Sequence, residues 1–177
     1  VRFIQHVLKS YGVINYAGPS YAQCRGARDV GFQLTFGSGI GSPEPTDIQG
    51  TGCLVLIGSH LGENMHNSQV QEFAQAIERR VPVIVVDPRF SVAASKAKYW
   101  LPVKPGTDIA LLLAWANLLV TEGRYDRAFV EAHGHGFEQF AAEIKGYTVE
   151  WAAEETGVSA ELIRAAAREF ASHRPAT

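Results

Sequence analysis

Two short apolar runs separated by an amphipathic segment dominate the pattern of this chain. Cys53-Leu-Val-Leu-Ile-Gly58 is apolar throughout and closes on glycine, which predicts a buried strand. After it, Asn67 stands as the cap of a helix over Ser68 to Arg80, with Val70, Phe73, Ala74 and Ile77 spaced for one helical face. Val81-Pro-Val-Ile-Val-Val86 is the second apolar run, ending in Asp87-Pro88-Arg89. Strand, helix, strand in so short a span is a βαβ unit. Because neither run alternates with polar residues, the predicted sheet is parallel and covered on both faces.

The same pattern organises the flanks. Phe3, Ile4, Val7 and Leu8 have helical spacing up to Gly12, and Val13 to Tyr16 reads as a short strand. A second helix is expected from Ser20 through Cys24 toward Gln33, with Gly26 and Gly31 weakening it. Thr35 to Gly52 is rich in glycine and proline and reads as loop. Its Gly37-Ser-Gly-Ile-Gly41 precedes the strand, whereas a dinucleotide fingerprint must follow one and open a helix. Tight turns are the simpler reading, although such a loop also lets backbone approach a large ligand.

Downstream, Ser91 to Lys98 has room for one or two helical turns, and Tyr99 to Val103 reads as a third strand, with Pro102 favouring an edge. Thr107 is the expected N-cap, with Asp108 in the first turn, of a helix over Ile109 to Glu122. That helix is apolar nearly all round and is expected to be buried. The rest is predicted helical: Asp126 caps Arg127 to Ala132, Gly136 to Lys145 follows, Thr148 caps a helix to Glu155, and Ser159 opens the last one. The fold class is therefore α/β, a parallel sheet with helices on both faces and a helical C-terminal part, formed as one domain over residues 1–177.

Composition narrows the chemistry. A core is within reach at 46% apolar residues, and a formal charge of −2 supplies no basic field for nucleic acid. No apolar run approaches the roughly 20 residues that cross a bilayer. The sequence opens without methionine and closes on Pro175-Ala-Thr177 with no obvious terminal element. The expectation is a piece excised from a much longer protein. There are two cysteines, Cys24 and Cys53, and no Cys-x-x-Cys pair to build a zinc ribbon or iron–sulfur cluster. Cys53 opens a buried strand and reads as inert core. His133 and His135 in Gly-His-Gly-His-Gly read as a turn between helices, lacking a third ligand at a recognisable spacing. In parallel sheets ligands sit beyond the carboxyl ends of the strands, here Gly58 to Asn64 and Asp87 to Arg89.

The order of these segments resembles the molybdopterin oxidoreductases of the dimethyl-sulfoxide-reductase family. The resemblance is carried by strand, Gly58-Ser-His-Leu-Gly-Glu-Asn64, helix, Val-Ile-Val-Val-Asp87-Pro88-Arg89, Trp100-Leu-Pro-Val-Lys-Pro105-Gly106-Thr107-Asp108 and the apolar helix after it. Glu122 to Asp126, Phe129-Val130, Gly136-Phe137-Glu138 and Thr148 to Phe170 extend it over nearly the whole chain. Within the family the sulfur-compound and arsenate reductases resemble it most.

The resemblance implies part of a molybdenum or tungsten oxidoreductase that binds bis-molybdopterin guanine dinucleotide and reduces or oxidises a small sulfur, arsenic or similar oxo substrate, as in anaerobic respiration. Gly58, Ser59, His60 and Asn64 would approach one dinucleotide, Asp87 and Arg89 its ribose or guanine end, and Gly106 and Asp108 the guanine. A carboxylate accepts paired N–H donors from guanine. Cys24, in Tyr21-Ala-Gln-Cys24-Arg-Gly26, stands where the family places the catalytic protein ligand to the metal, and a thiolate suits so soft a site. Its alternative is a core cysteine on a helix face. One departure is visible: the family often has Gly-x-Asn-Pro after the first strand, and here it is Gly58-Ser-His60-Leu.

The resemblance also implies a 4Fe-4S segment upstream, further domains of the same chain, an iron–sulfur electron-transfer subunit and a membrane anchor as partners. Two rivals remain. One is a scaffold subunit of a respiratory complex that keeps the fold without metal. The other is a dinucleotide-binding dehydrogenase domain, which Gly58-Ser-His-Leu-Gly62 disfavours because it lacks the second glycine needed beneath a pyrophosphate.

Overall fold

A computed structural model describes residues 2–15, 26–37, 46–59, 61–63 and 67–177. The chain divides into two compact units, Val1–Pro45 and Thr46–Thr177. In the first, α1 spans Arg2–Ser10 and α2 spans Ala27–Phe36. Residues 13–15 have no regular structure and Ile14 is exposed, so no strand forms there; apolar character alone does not make one without a neighbouring strand to pair. Gly31 is accommodated inside α2, which runs on to Phe36 and ends on Gly37 in the left-handed conformation, with φ 76°. The expected beginning of that helix, Ser20 to Arg25, lies outside the described residues.

The second unit carries the predicted sheet. Strands β1 (Leu54–Ile57), β2 (Val83–Val86) and β3 (Tyr99–Leu101) are parallel, in the order β1-β2-β3. Leu54 lies opposite Val83, and Ile84 opposite Tyr99. Between β1 and β2 runs α3 (Asn67–Glu78), and a single 3₁₀ turn at Ala94–Lys96 precedes β3. Then follow α4 (Asp108–Thr121), α5 (Arg127–His133), α6 (Phe137–Glu143), α7 (Val149–Thr156) and α8 (Ala160–Ser172).

Alternate residues of β2 point into two different cores. Val83 and Val85 pack with Leu54, Leu56, Phe73 and Ala76 under α3. Ile84 and Val86 pack with Leu101, Leu111, Trp115 and Ile163, under α4, α7 and α8. Every residue of β2 is buried, as its unbroken apolar run requires. Residues 175–177 add to the other edge of β1: Val55 N–H donates to Thr177 O at 2.7 Å, and Thr177 N–H to Cys53 O at 2.9 Å. The pairing of Cys53 with Ala176 is parallel, and three residues with no strand-like pattern gave no sign of it.

Of the five expected caps, Asn67 is itself the first residue of α3, because the helix begins one residue earlier than expected and ends at Glu78, and three act through their side chains. Asp126, Thr148 and Ser159 accept from Phe129, Trp151 and Leu162 N–H respectively. Thr107 occupies the cap position of α4 without capping; its hydroxyl donates instead to Lys104 O at 2.7 Å. Nor is α4 buried all round. Ala110, Leu111, Ala114, Trp115 and Leu118 are buried, while Ile109 is 72% exposed and Leu112 is 42% exposed. A helix packed on one sheet face and two helices still turns one stripe outward. Glu122, just beyond α4, accepts from Arg168 Nη2 of α8 at 2.7 Å and from Arg124 Nε at 2.6 Å.

The expected mutational contrast on α4 follows from this. Leu111→Ala should cost about 2–5 kcal/mol in denaturant unfolding, and Ile109→Ala should stay within about 0.5 kcal/mol of wild type.

Hydrogen bonds from Arg168 and Arg124 hold the Glu122 carboxyl down at about 2, against an ordinary 4.5. A lowered carboxylate stabilises the fold above its ordinary range, and that contribution is lost as pH falls from about 4.5 to about 2. Glu122→Gln is therefore expected to lower the urea midpoint at pH 7, with the gap from wild type narrowing steadily in melts at lower pH.

Candidate functional site

Parallel strands leave all their carboxyl ends at one edge. Here backbone hydrogen bonds step the exits together: Gly58 N–H donates to Val86 O at 2.9 Å, and Asp87 N–H to Leu101 O at 3.2 Å. Gly58 turns the chain out of β1 with φ 58°, and the direction its missing Cβ would take is open. Its backbone can therefore be approached closely. Ser59, half-buried, lines a cavity of about 230 Å³ with Thr46, Ile48, Leu61 and Gln69. Asp87, Arg89, Gly106 and Asp108 do not line it.

Asp87 is 4% exposed at the end of β2, an unusual place for a carboxylate. Its Oδ1 accepts the Arg89 backbone N–H at 2.8 Å, closing a turn around Pro88. Its carbonyl accepts the Trp100 Nε1–H at 2.8 Å, and the Phe90 ring meets Trp100 edge-on at 4.9 Å. Oδ2 receives no hydrogen bond from the described residues. The Arg89 guanidinium pairs with Glu63, in the loop after β1, and the other Glu63 oxygen accepts the Val92 N–H at 2.8 Å.

The exit of β3 is built differently. Lys104 N–H donates to Thr156 O at 3.0 Å, anchoring the loop to the end of α7. Gly106 has φ 85° with open space at its Cβ position. Asp108, half-buried, then opens α4, so the positive end of that helix dipole lies at the carboxyl edge of the sheet.

Of the predicted residues, Gly58 and Ser59 follow β1, Asp87 and Arg89 follow the neighbouring β2, and Gly106 and Asp108 follow β3, all at the carboxyl edge of the sheet, while Ser59 faces a cavity that the others do not line. Cys24, His60 and Asn64 lie outside the described residues. Glu63, which pairs with Arg89, is not among the residues expected at these strand ends. The available signal was an acidic side chain after one strand of a βαβ unit and a basic one after the next. Among the described residues no group of three or more His, Cys, Asp or Glu could hold a metal ion, and no helix is long and apolar enough to cross a membrane.

Comparison with known proteins fixes the class. The family model for molybdopterin oxidoreductase matches residues 1–154. The thiosulfate reductase molybdopterin-containing subunit of Salmonella typhimurium is 38% identical over 77% of this chain and 18% of its own length. The F420-dependent formate dehydrogenase 1 subunit alpha of Methanococcus maripaludis is 32% identical over 99% of this chain and 25% of its own. The solved structure of acetylene hydratase from Pelobacter acetylenicus superposes with a TM-score of 0.83 at 34% identity, covering 92% of this chain and 22% of that one. The chain belongs to the molybdopterin oxidoreductase family. It spans about a quarter or less of these relatives' lengths.

Cys53 is fully buried in the core of the second unit, and that burial, with the Glu169 carboxylate nearby, pushes its thiol up to about 11. It stays protonated at neutral pH and, fully buried, packs as a core side chain. In the folded chain it should resist alkylation at pH 8 and react only on unfolding, read by mass spectrometry. Cys53→Ala should cost about 1 kcal/mol in stability.

Proposed function

We propose that this chain forms part of the catalytic subunit of a molybdenum or tungsten oxidoreductase, holding one nucleotide end of bis-molybdopterin guanine dinucleotide. The observation that supports this reading most is the pairing, at adjacent parallel strand ends, of an open glycine backbone at Gly58 with the nearly buried Asp87 carboxylate. These residues fit such a group. Gly58 and Gly106 leave room for close approach of phosphate or base, and Asp87 Oδ2 is available to accept N–H or O–H donors from guanine or ribose. Ser59, with His60 and Asn64 by their place in the sequence, is proposed to approach one dinucleotide, Arg89 to join Asp87, and Asp108 to read the guanine with Gly106.

When bound, the group supplies two-electron redox chemistry at its metal. The chain's own part is to bind and orient. Asp87 is held by the Arg89 N–H and its backbone by Trp100, so its carboxylate is aimed before a ligand arrives, which lowers the entropy cost of binding. Cys24 is the proposed protein ligand to the metal, on the strength of its position ahead of the glycine-rich stretch and the first strand. The 4Fe-4S centre, the remaining domains, an iron–sulfur subunit and a membrane anchor belong to the proposed larger assembly. The substrate proposed is a small sulfur, arsenic or similar oxo compound, in keeping with the relative named as a thiosulfate reductase. A hydration reaction is the second reading, favoured by the structural similarity to a protein named as an acetylene hydratase.

The full-length protein tests all of these. Purified protein should contain molybdenum or tungsten together with guanine nucleotide, and should oxidise a reduced viologen dye when given its oxo substrate. Turnover without any electron donor or acceptor would favour hydration. A folded protein with neither metal nor guanine would leave only the scaffold. Cys24→Ala should abolish activity with the fold retained; full activity at normal metal content would end its role as ligand.

A further inference from the structure

We infer that Glu63 is a positioning residue of the nucleotide site, clamping the loop after β1 to the Asp87-Pro88-Arg89 turn after β2; the inference rests on the cofactor reading above. Glu63 divides its carboxylate between two elements. One oxygen takes the Arg89 guanidinium, and the other takes the Val92 backbone N–H at 2.8 Å. Arg89 and Val92 both belong to the segment after β2, so one side chain ties together the two strand exits between which Gly58 and Asp87 lie.

The accessibilities give the clamp its direction. The Glu63 side chain is 22% exposed and the Arg89 side chain 55% exposed, so the carboxylate is the anchored partner and the guanidinium the one turned toward solvent. Anchoring the acid by a second, backbone hydrogen bond limits its rotation, and the pair then needs less ordering than one between two free side chains. The Arg89 backbone is fixed independently by Asp87 Oδ1 at 2.8 Å. Arg89 is thus held at both ends: its main chain by Asp87, its guanidinium by Glu63. Asp87 contributes a ligand-facing carboxylate, and Glu63 acts through Arg89.

This arrangement makes Glu63 and Arg89 one unit toward the ligand, and that is testable apart from activity. In the full-length holoenzyme, the rate of guanine nucleotide and metal loss after dilution into chelator is measured for wild type, Glu63→Ala, Arg89→Ala, the double variant and Glu63→Gln. Each single alanine variant is expected to release the group about tenfold faster, with the double variant no faster than either single one. Glu63→Gln, which keeps an acceptor for Val92 N–H but drops the charge facing Arg89, should lie between Glu63→Ala and wild type. Unfolding temperatures of the protein stripped of the group should match wild type throughout.

Multiplicative effects in the double variant would overturn the inference, as would wild-type release from Glu63→Ala. A lowered unfolding temperature in the stripped Glu63→Ala protein that accounts for its faster release would overturn it too, by making the residue merely structural. The underlying cofactor reading fails separately: wild-type protein would then carry no guanine nucleotide to release.

Discussion

Burial of β2 on both faces is the constraint from which the rest of the second unit follows. A strand with Val83, Ile84, Val85 and Val86 all buried needs apolar cover above and below, and a parallel partner on each side. Cover on one face comes from α3, which is also the crossover that makes β1 and β2 parallel. On the other face it comes from α4, α7 and α8. Once the strands are parallel, their carboxyl ends have to share one edge. The loops that carry Gly58, Asp87 and Gly106 are brought to one side of the molecule by this packing, before any ligand contributes.

At that edge the polar groups are arranged by backbone first and side chains second. Gly58 and Asp87 are registered by strand-like hydrogen bonds to Val86 and Leu101. The Asp87 carboxylate, with very little exposure, is tolerable because Oδ1 is satisfied by the Arg89 N–H. The Glu63 carboxylate then spans two loops. The result is a set of donors and acceptors with little freedom left to lose on binding, which is the property the proposed cofactor site requires.

Much of this was legible in the sequence, for a physical reason. Unbroken apolar runs bounded by glycine or Asp-Pro have few uses other than buried parallel strands, so β1, β2, their crossover helix and the strand-end residues could be read directly. Caps at Asp126, Thr148 and Ser159 were equally legible, because a side-chain acceptor ahead of a helix serves only local donors. What could not be read depended on tertiary partners. Thr107 has the right type and place for a cap, yet the Lys104 carbonyl takes its hydroxyl. The composition of α4 hides which stripe faces water, and Ile109 and Leu112 lie on it. Val13 to Asn15 had strand-like residues but forms no strand, while Ala176 pairs with Cys53 through backbone alone. The Glu63–Arg89 pair exists only because β1 and β2 are neighbours.

The central claim is that these parallel strand ends hold the nucleotide end of a molybdopterin cofactor. Its most direct test is a crystal structure of the full-length protein purified with its metal. A guanosine moiety is expected within hydrogen-bond distance of the Asp87 carboxylate, with nucleotide atoms against the Gly58 backbone. A bound cofactor lying away from the carboxyl edge of β1 and β2, with Asp87 facing only protein or water, would contradict it.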